Sequence, residues 1–73
     1  MDIRKIVGAR IRELRLKMKI SQEALANIAE IDRTYMTSVE NGKRNISIIN
    51  LEKIVKALET DFTTFFKDSS FYE

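Results

Sequence analysis

Apolar residues recur at three- and four-residue spacing from the first residues of the chain. Ile3, Ile6, Val7, Ile11, Leu14 and Met18 make one stripe and predict a helix over residues 2–18. Asp2 is placed to cap it or to favour its positive N-terminal end. Leu16 falls off the stripe and is expected at the surface. Ser21 is the next start signal, with Gln22 and Glu23 in the first turn and Ala24 where a full capping box has an acid or amide. This second helix runs to about Ala29, with Leu25, Ala26 and Ala29 on its apolar face. Asp32 caps a third, from Arg33 to about Asn41, in which Met36, Val39 and Glu40 share a face. Gly42 follows as a left-handed stop, and Lys43, Arg44 and Asn45 form a polar loop. Ser47 opens a fourth helix through about Leu58, with Leu51, Ile54, Val55 and Leu58 inward. Asp61 caps a last short helix over 62–67, and the tail, 67–73, is expected to be frayed or dimer-associated. There is no strand alternation, proline, repeat or linker. The pattern predicts an all-α fold of five helices in one domain, 1–73.

The break between the second and third helices is too short for anything but a tight corner, and Ile31 supplies its apolar plug. Residues 21–45 therefore read as helix, short turn, helix, an arrangement that lays its second helix in the DNA major groove.

Composition narrows the reading. A chain of 73 residues buries only roughly 60% of its unfolded surface, so its helices must pack well or a partner must add core. It has no cysteine and no histidine, which removes disulfides, zinc–thiolate sites, the usual metal ligands and the usual general base. With no nucleophile–base pair or metal cluster, an enzyme is not expected, and neither is a cofactor, a metal or a small-molecule ligand. No stretch is apolar enough to span a bilayer and no signal-peptide pattern opens the chain, so a cytoplasmic protein is expected. The net charge is +2, but it is unevenly spread. Residues 1–20 carry Arg4, Lys5, Arg10, Arg12, Arg15, Lys17 and Lys19 against Asp2 and Glu13, a net of +5; residues 60–73 carry a net of −2. A basic face suits a phosphate backbone, and a solvated helix face explains it equally well.

Gln22, Leu25, Ala26, Ile31, Val39, Glu40 and Gly42 stand at a recognisable spacing. The pattern resembles the Cro/cI-type helix-turn-helix family, also called Xre-like or lambda-repressor-like, over residues from about 10 to 66. Within that family, the Asp32–Tyr35 and Gly42–Asn45 segments look most like the controller proteins of restriction–modification systems. The resemblance implies a five-helix DNA-binding domain acting as a homodimer on a pseudo-palindromic double-stranded operator. Phage-type repressors and antitoxin autoregulators share this chemistry. A protein-interaction module without DNA binding is the alternative from another class. Three positions depart from the family: Glu30 and Lys19 replace common glycines at helix ends, and Ile46 replaces a common proline. These departures bear on stability rather than on recognition.

Met36 and Val39 point inward, which turns Arg33, Thr34, Thr37 and Ser38 towards solvent. Arg33 can grip guanine O6 and N7 with two hydrogen bonds, and Thr34 offers a hydroxyl to a base edge and a methyl to thymine. The resemblance implies base contacts at Arg33, Thr34 and Ser38, and Thr37 on the same solvent side is a further candidate base contact. The resemblance also implies a phosphate clamp by Gln22, where a helix N-terminus already favours an anion. Tyr35, Asn41, Lys43 and Asn45 are placed to hold the backbone across the groove; Arg44 can hold it too, or reach a base edge or a narrowed minor groove. The resemblance further implies a structural pair, Arg15 and Glu40, bridging the first and third helices. Glu23 and Glu30 are either helix-terminal solubility residues or, as in some relatives that activate transcription, contacts to RNA polymerase. Ile49, Phe62, Phe65, Phe66, Phe71 and Tyr72 concentrate apolar surface near the C-terminus. The first five are the candidate dimer interface, which would set two recognition helices one DNA turn apart, roughly 34 Å.

Overall fold

The computed structural model describes residues 1–72. In order along the chain lie α1 (Ile3–Lys17), α2 (Gln22–Ala29), α3 (Arg33–Glu40), α4 (Ile48–Ala57), α5 (Phe62–Phe65) and a 3-10 turn, Ser69–Phe71. Every α-helix starts at a side-chain cap that the sequence marks. Asp2 accepts from the Arg4 amide, Ser21 from Ala24, Asp32 from Tyr35, Ser47 from Asn50 and Asp61 from Thr64. Each cap contributes about 1 kcal/mol. The Arg4 side chain and amide together hold the Asp2 carboxyl down at about 2, and the Thr64 bonds lower that of Asp61.

The first four helices stop in the same way. A left-handed residue follows each: Lys19 at φ 60°, Glu30 at 57°, Gly42 at 73° and Glu59 at 57°. The next amide bonds back to the carbonyl five residues earlier: Ile20 to Arg15, Ile31 to Ala26, Lys43 to Ser38 and Thr60 to Val55. Only Gly42 adopts this geometry without crowding between Cβ and the backbone, so three of the four stops carry local strain. Glu30→Gly is expected to raise stability by about 1 kcal/mol, read as a higher urea midpoint with an unchanged slope. A lower midpoint would mean that the Glu30 side chain makes a contact worth more than the strain.

Packing runs α1 on α3, α2 on α3 and on α4, and α4 on α5, around Ile11, Leu25, Met36, Ile54, Val55 and Phe65. Gly8 sets how closely α1 meets the end of α3. A Cβ there would lie 2.4 Å from the Val39 carbonyl oxygen and 2.7 Å from that of Glu40. The two backbones therefore approach as only glycine allows.

The structure corrects four expectations. Ile3, the first member of the α1 stripe, is exposed, because α1 begins beyond the edge of the core. α5 is one turn, four residues rather than six. The tail is not frayed over its described length. Ser69–Phe71 turns back against α1, and Phe71 packs on Phe65 and Phe66 at centroid distances of 6.2 and 4.9 Å; Glu73 lies outside the described residues. Finally, the basic excess of residues 1–20 is not one surface. Arg10 is buried, giving its Nε to the Phe65 carbonyl at 2.8 Å and its Nη2 to that of Thr64 at 2.9 Å, and Arg15 is buried against Glu40.

Candidate nucleic-acid interface

The corner between α2 and α3 is built from a left-handed Glu30, the half-buried Ile31 and the Asp32 cap. α3 then lies with Met36, Val39 and Glu40 inward. Its azimuth is fixed by a bidentate ion pair: Arg15 Nε to Glu40 Oε2 at 2.8 Å and Arg15 Nη2 to Glu40 Oε1 at 3.0 Å. Arg15 Nη1 also holds the Ile20 carbonyl at 3.0 Å. The expected structural pair is therefore formed, and it ties α1 to α3.

Gln22 joins the same network. Its Nε2 donates to Glu40 Oε1 at 3.1 Å, and its Oε1 accepts from the Thr37 hydroxyl at 2.8 Å. An amide nitrogen has two N–H groups, so one is left at the α2 N-terminus for an anion. Thr37 is different. Its one proton goes to Gln22, with the Arg33 carbonyl as a longer alternative at 3.1 Å, and the residue is half-buried. Thr37, a candidate base contact, here gives its hydroxyl proton to Gln22 and so orients that amide.

Arg33 and Thr34, at the start of α3, are exposed, and Ser38 is half-buried nearer its end. Beyond α3, Asn41, Lys43, Arg44 and Asn45 are exposed. The Arg44 guanidinium sits over the Tyr35 ring, 5.1 Å from its centroid, so these two candidates reach the surface as one unit. The result is a solvent-facing helix with a cation and two hydroxyls, flanked by an amide at one end and a polar, basic loop at the other. Phosphate contacts would set register there, and α3 would read bases.

A family profile described as helix-turn-helix matches residues 11–65. The chain belongs to the helix-turn-helix family. It is 44% identical over 68 residues to the control protein C.MunI of a Mycoplasma species, covering 92% of each chain. Among solved structures it is similar to the restriction–modification controller protein C.AhdI from Aeromonas hydrophila, with a TM-score of 0.85, 38% identity, and coverage of 90% of this chain and 100% of that one. It is also similar to the controller C.Esp1396I, solved as a tetramer on its natural 35-base-pair operator: TM-score 0.86, 36% identity, coverage 92% and 88%. This helix-turn-helix protein thus sits in the restriction–modification controller branch.

The candidate dimer residues divide. Phe65 is fully buried in the monomer, so its place in an interface is corrected: the Arg10 bonds to the end of α5 hold it in the core. Phe62, Phe66 and Phe71 are half-buried in an aromatic cluster around it. Ile49 is 66% exposed, as an interface residue of a free subunit would be. Its neighbour Ile48, 76% exposed, was missed by the sequence reading. The signal was an apolar residue beside another at a helix start, which periodicity cannot assign to one face. Lys5, counted in the sequence only within the basic run of residues 1–20, is placed by the fold. Its backbone lies against Gly42, which brings an exposed cation beside the Lys43–Asn45 loop. No pattern in sequence links positions that far apart. Glu23 and Glu30 are both exposed, at opposite ends of α2, and Glu23 pairs with Arg33.

Proposed function

We propose that this chain is the controller protein of a restriction–modification system, a homodimer that binds a pseudo-palindromic operator and regulates its own gene and that of the endonuclease. The observation that carries the reading is the exposed start of α3, with Arg33 and Thr34 outward on a helix locked by Arg15 and Glu40. The relatedness to control proteins along nearly the whole chain selects controller over phage repressor or antitoxin. Arg33, Thr34 and Ser38 read base edges, and Arg44 follows from the loop. Gln22, Tyr35, Asn41, Lys43 and Asn45 hold phosphates, which makes binding fall with salt. Ile48 and Ile49, with the rims of Phe62, Phe66 and Phe71, form the two-fold interface. Glu30 is the acid available to polymerase. Such a protein works beside the cell's DNA, in the cytoplasm.

Arg33→Ala tests it. A duplex recovered by the purified protein from a randomised pool serves as the site, and a scrambled duplex of equal length and composition as the reference. The variant is expected to lose about 1–3 kcal/mol of preference between them while keeping weak affinity for both. Equal loss on the two duplexes would make Arg33 a phosphate contact and overturn its assigned role.

A further inference from the structure

The acid paired with the reading head is Glu23, while Asp32, next to Arg33 in the chain, is engaged in capping α3. Glu23 Oε2 accepts from Arg33 Nη1 at 3.1 Å, across the corner from the first turn of α2 to the first residue of α3. Both side chains are well exposed, at 61% and 65%. As an exposed pair it adds little to folding. Its position is another matter, because it puts a carboxylate on the face that meets a polyanion, beside the Gln22 amide assigned to a phosphate.

We infer that Glu23 is a specificity-determining residue that holds the Arg33 guanidinium for the groove and penalises its use on phosphates. The inference rests on the reading of Arg33 as the base contact. A guanidinium carries five N–H groups, and Glu23 takes one. Enough of the fork is left to bond guanine O6 and N7 with Glu23 still in place. On a duplex without the matching guanine, Arg33 gains by turning to a phosphate. It must then leave Glu23, whose carboxylate stays unpaired beside the DNA backbone. The penalty falls on the wrong duplex more than on the right one, and a repulsive element of that kind widens the difference between two affinities. The ordinary role of an acid in the first turn, favouring the helix dipole, is compatible with this placement but does not require an Arg33 partner.

The test is Glu23→Gln, measured on the selected and scrambled duplexes described above. The glutamine keeps the shape and removes the charge, and the exposed position leaves the thermal midpoint as a control that should stay put. Affinity for the scrambled duplex is expected to rise by up to about fivefold, the scale of one exposed charge pair. Affinity for the selected duplex should change less, so the preference shrinks. In an Arg33→Ala background the same substitution should leave the preference where Arg33→Ala put it. An unchanged preference in the native background would overturn the inference, as would an equal change in both backgrounds, which would mean simple repulsion of phosphates. Reduced transcription by purified polymerase with unaltered preference would overturn it too and make Glu23 a polymerase contact. Failure of the underlying reading shows separately, because Arg33→Ala would then keep the preference.

Discussion

Replacing Ile48 and Ile49 together by aspartate should yield a folded monomer that binds its operator very weakly. Both residues are exposed in the subunit and lie outside its buried core. Aspartate in the first turn of α4, just after the Ser47 cap, also suits the helix dipole. The substitution therefore spares the monomer, which Phe66→Asp would not, since Phe66 stacks on three other phenylalanines. In the proposed dimer, each isoleucine buried from both subunits adds about 1.5–3 kcal/mol. Four of them supply roughly 6–12 kcal/mol, comparable with the 4–15 kcal/mol that association itself costs. Four carboxylates brought together in their place reverse the sign. Dimer affinity should fall by at least ~10³-fold, seen by sedimentation, and operator affinity should fall with it because each monomer offers half the contacts. A variant that remains dimeric would move the interface elsewhere. A monomer binding as tightly as the parent would overturn the reading of the homodimer as the DNA-binding form.

Glu40→Ala should be severely destabilising. The Glu40 side chain is 2% exposed and that of Arg15 10%. Removing the carboxylate strands a buried guanidinium and frees the Gln22 amide at once. Breaking one side of a buried pair costs about 3–5 kcal/mol. A domain of this length has roughly 4–11 kcal/mol in all. The expected result is a thermal midpoint lower by at least about 12 °C, or a chain largely unfolded at ambient temperature. Arg15→Met combined with Glu40→Leu should recover much of the loss, because an apolar pair of similar volume avoids the stranded charge. It should still bind DNA less well, since nothing then orients Gln22. A shift under about 4 °C for Glu40→Ala would show that water reaches Arg15 and that the pair is not what fixes α3.

Some of this protein is settled within a few residues of chain, and that much was readable. Asp2, Ser21, Asp32, Ser47 and Asp61 start helices because each side chain reaches an amide two or three residues on, whatever the rest of the chain does. The stop at Gly42 and the inward faces of α2, α3 and α4 follow from local torsion and from the helical period. The same period turned Arg33 outward, and the family resemblance added the Arg15–Glu40 bridge.

Other features depend on how helices cross, and there the sequence was silent or misleading. Nothing in the helical pattern marks Gly8, whose place is set by the carbonyls of Val39 and Glu40 against it. Arg10 looked like part of a basic face. It closes the end of α5, 54 and 55 residues along the chain. Of two adjacent phenylalanines one had to be inside, but only the seat of α5 on α4 chose Phe65. The pairing of Glu23 with Arg33 needs the corner between α2 and α3 to close at one angle. Local bonds are worth about 1 kcal/mol apiece and are written residue by residue. The crossing angles come from packing the whole core at once, and they alone decided which charges meet, which faces stay open and which residues meet DNA or a second subunit.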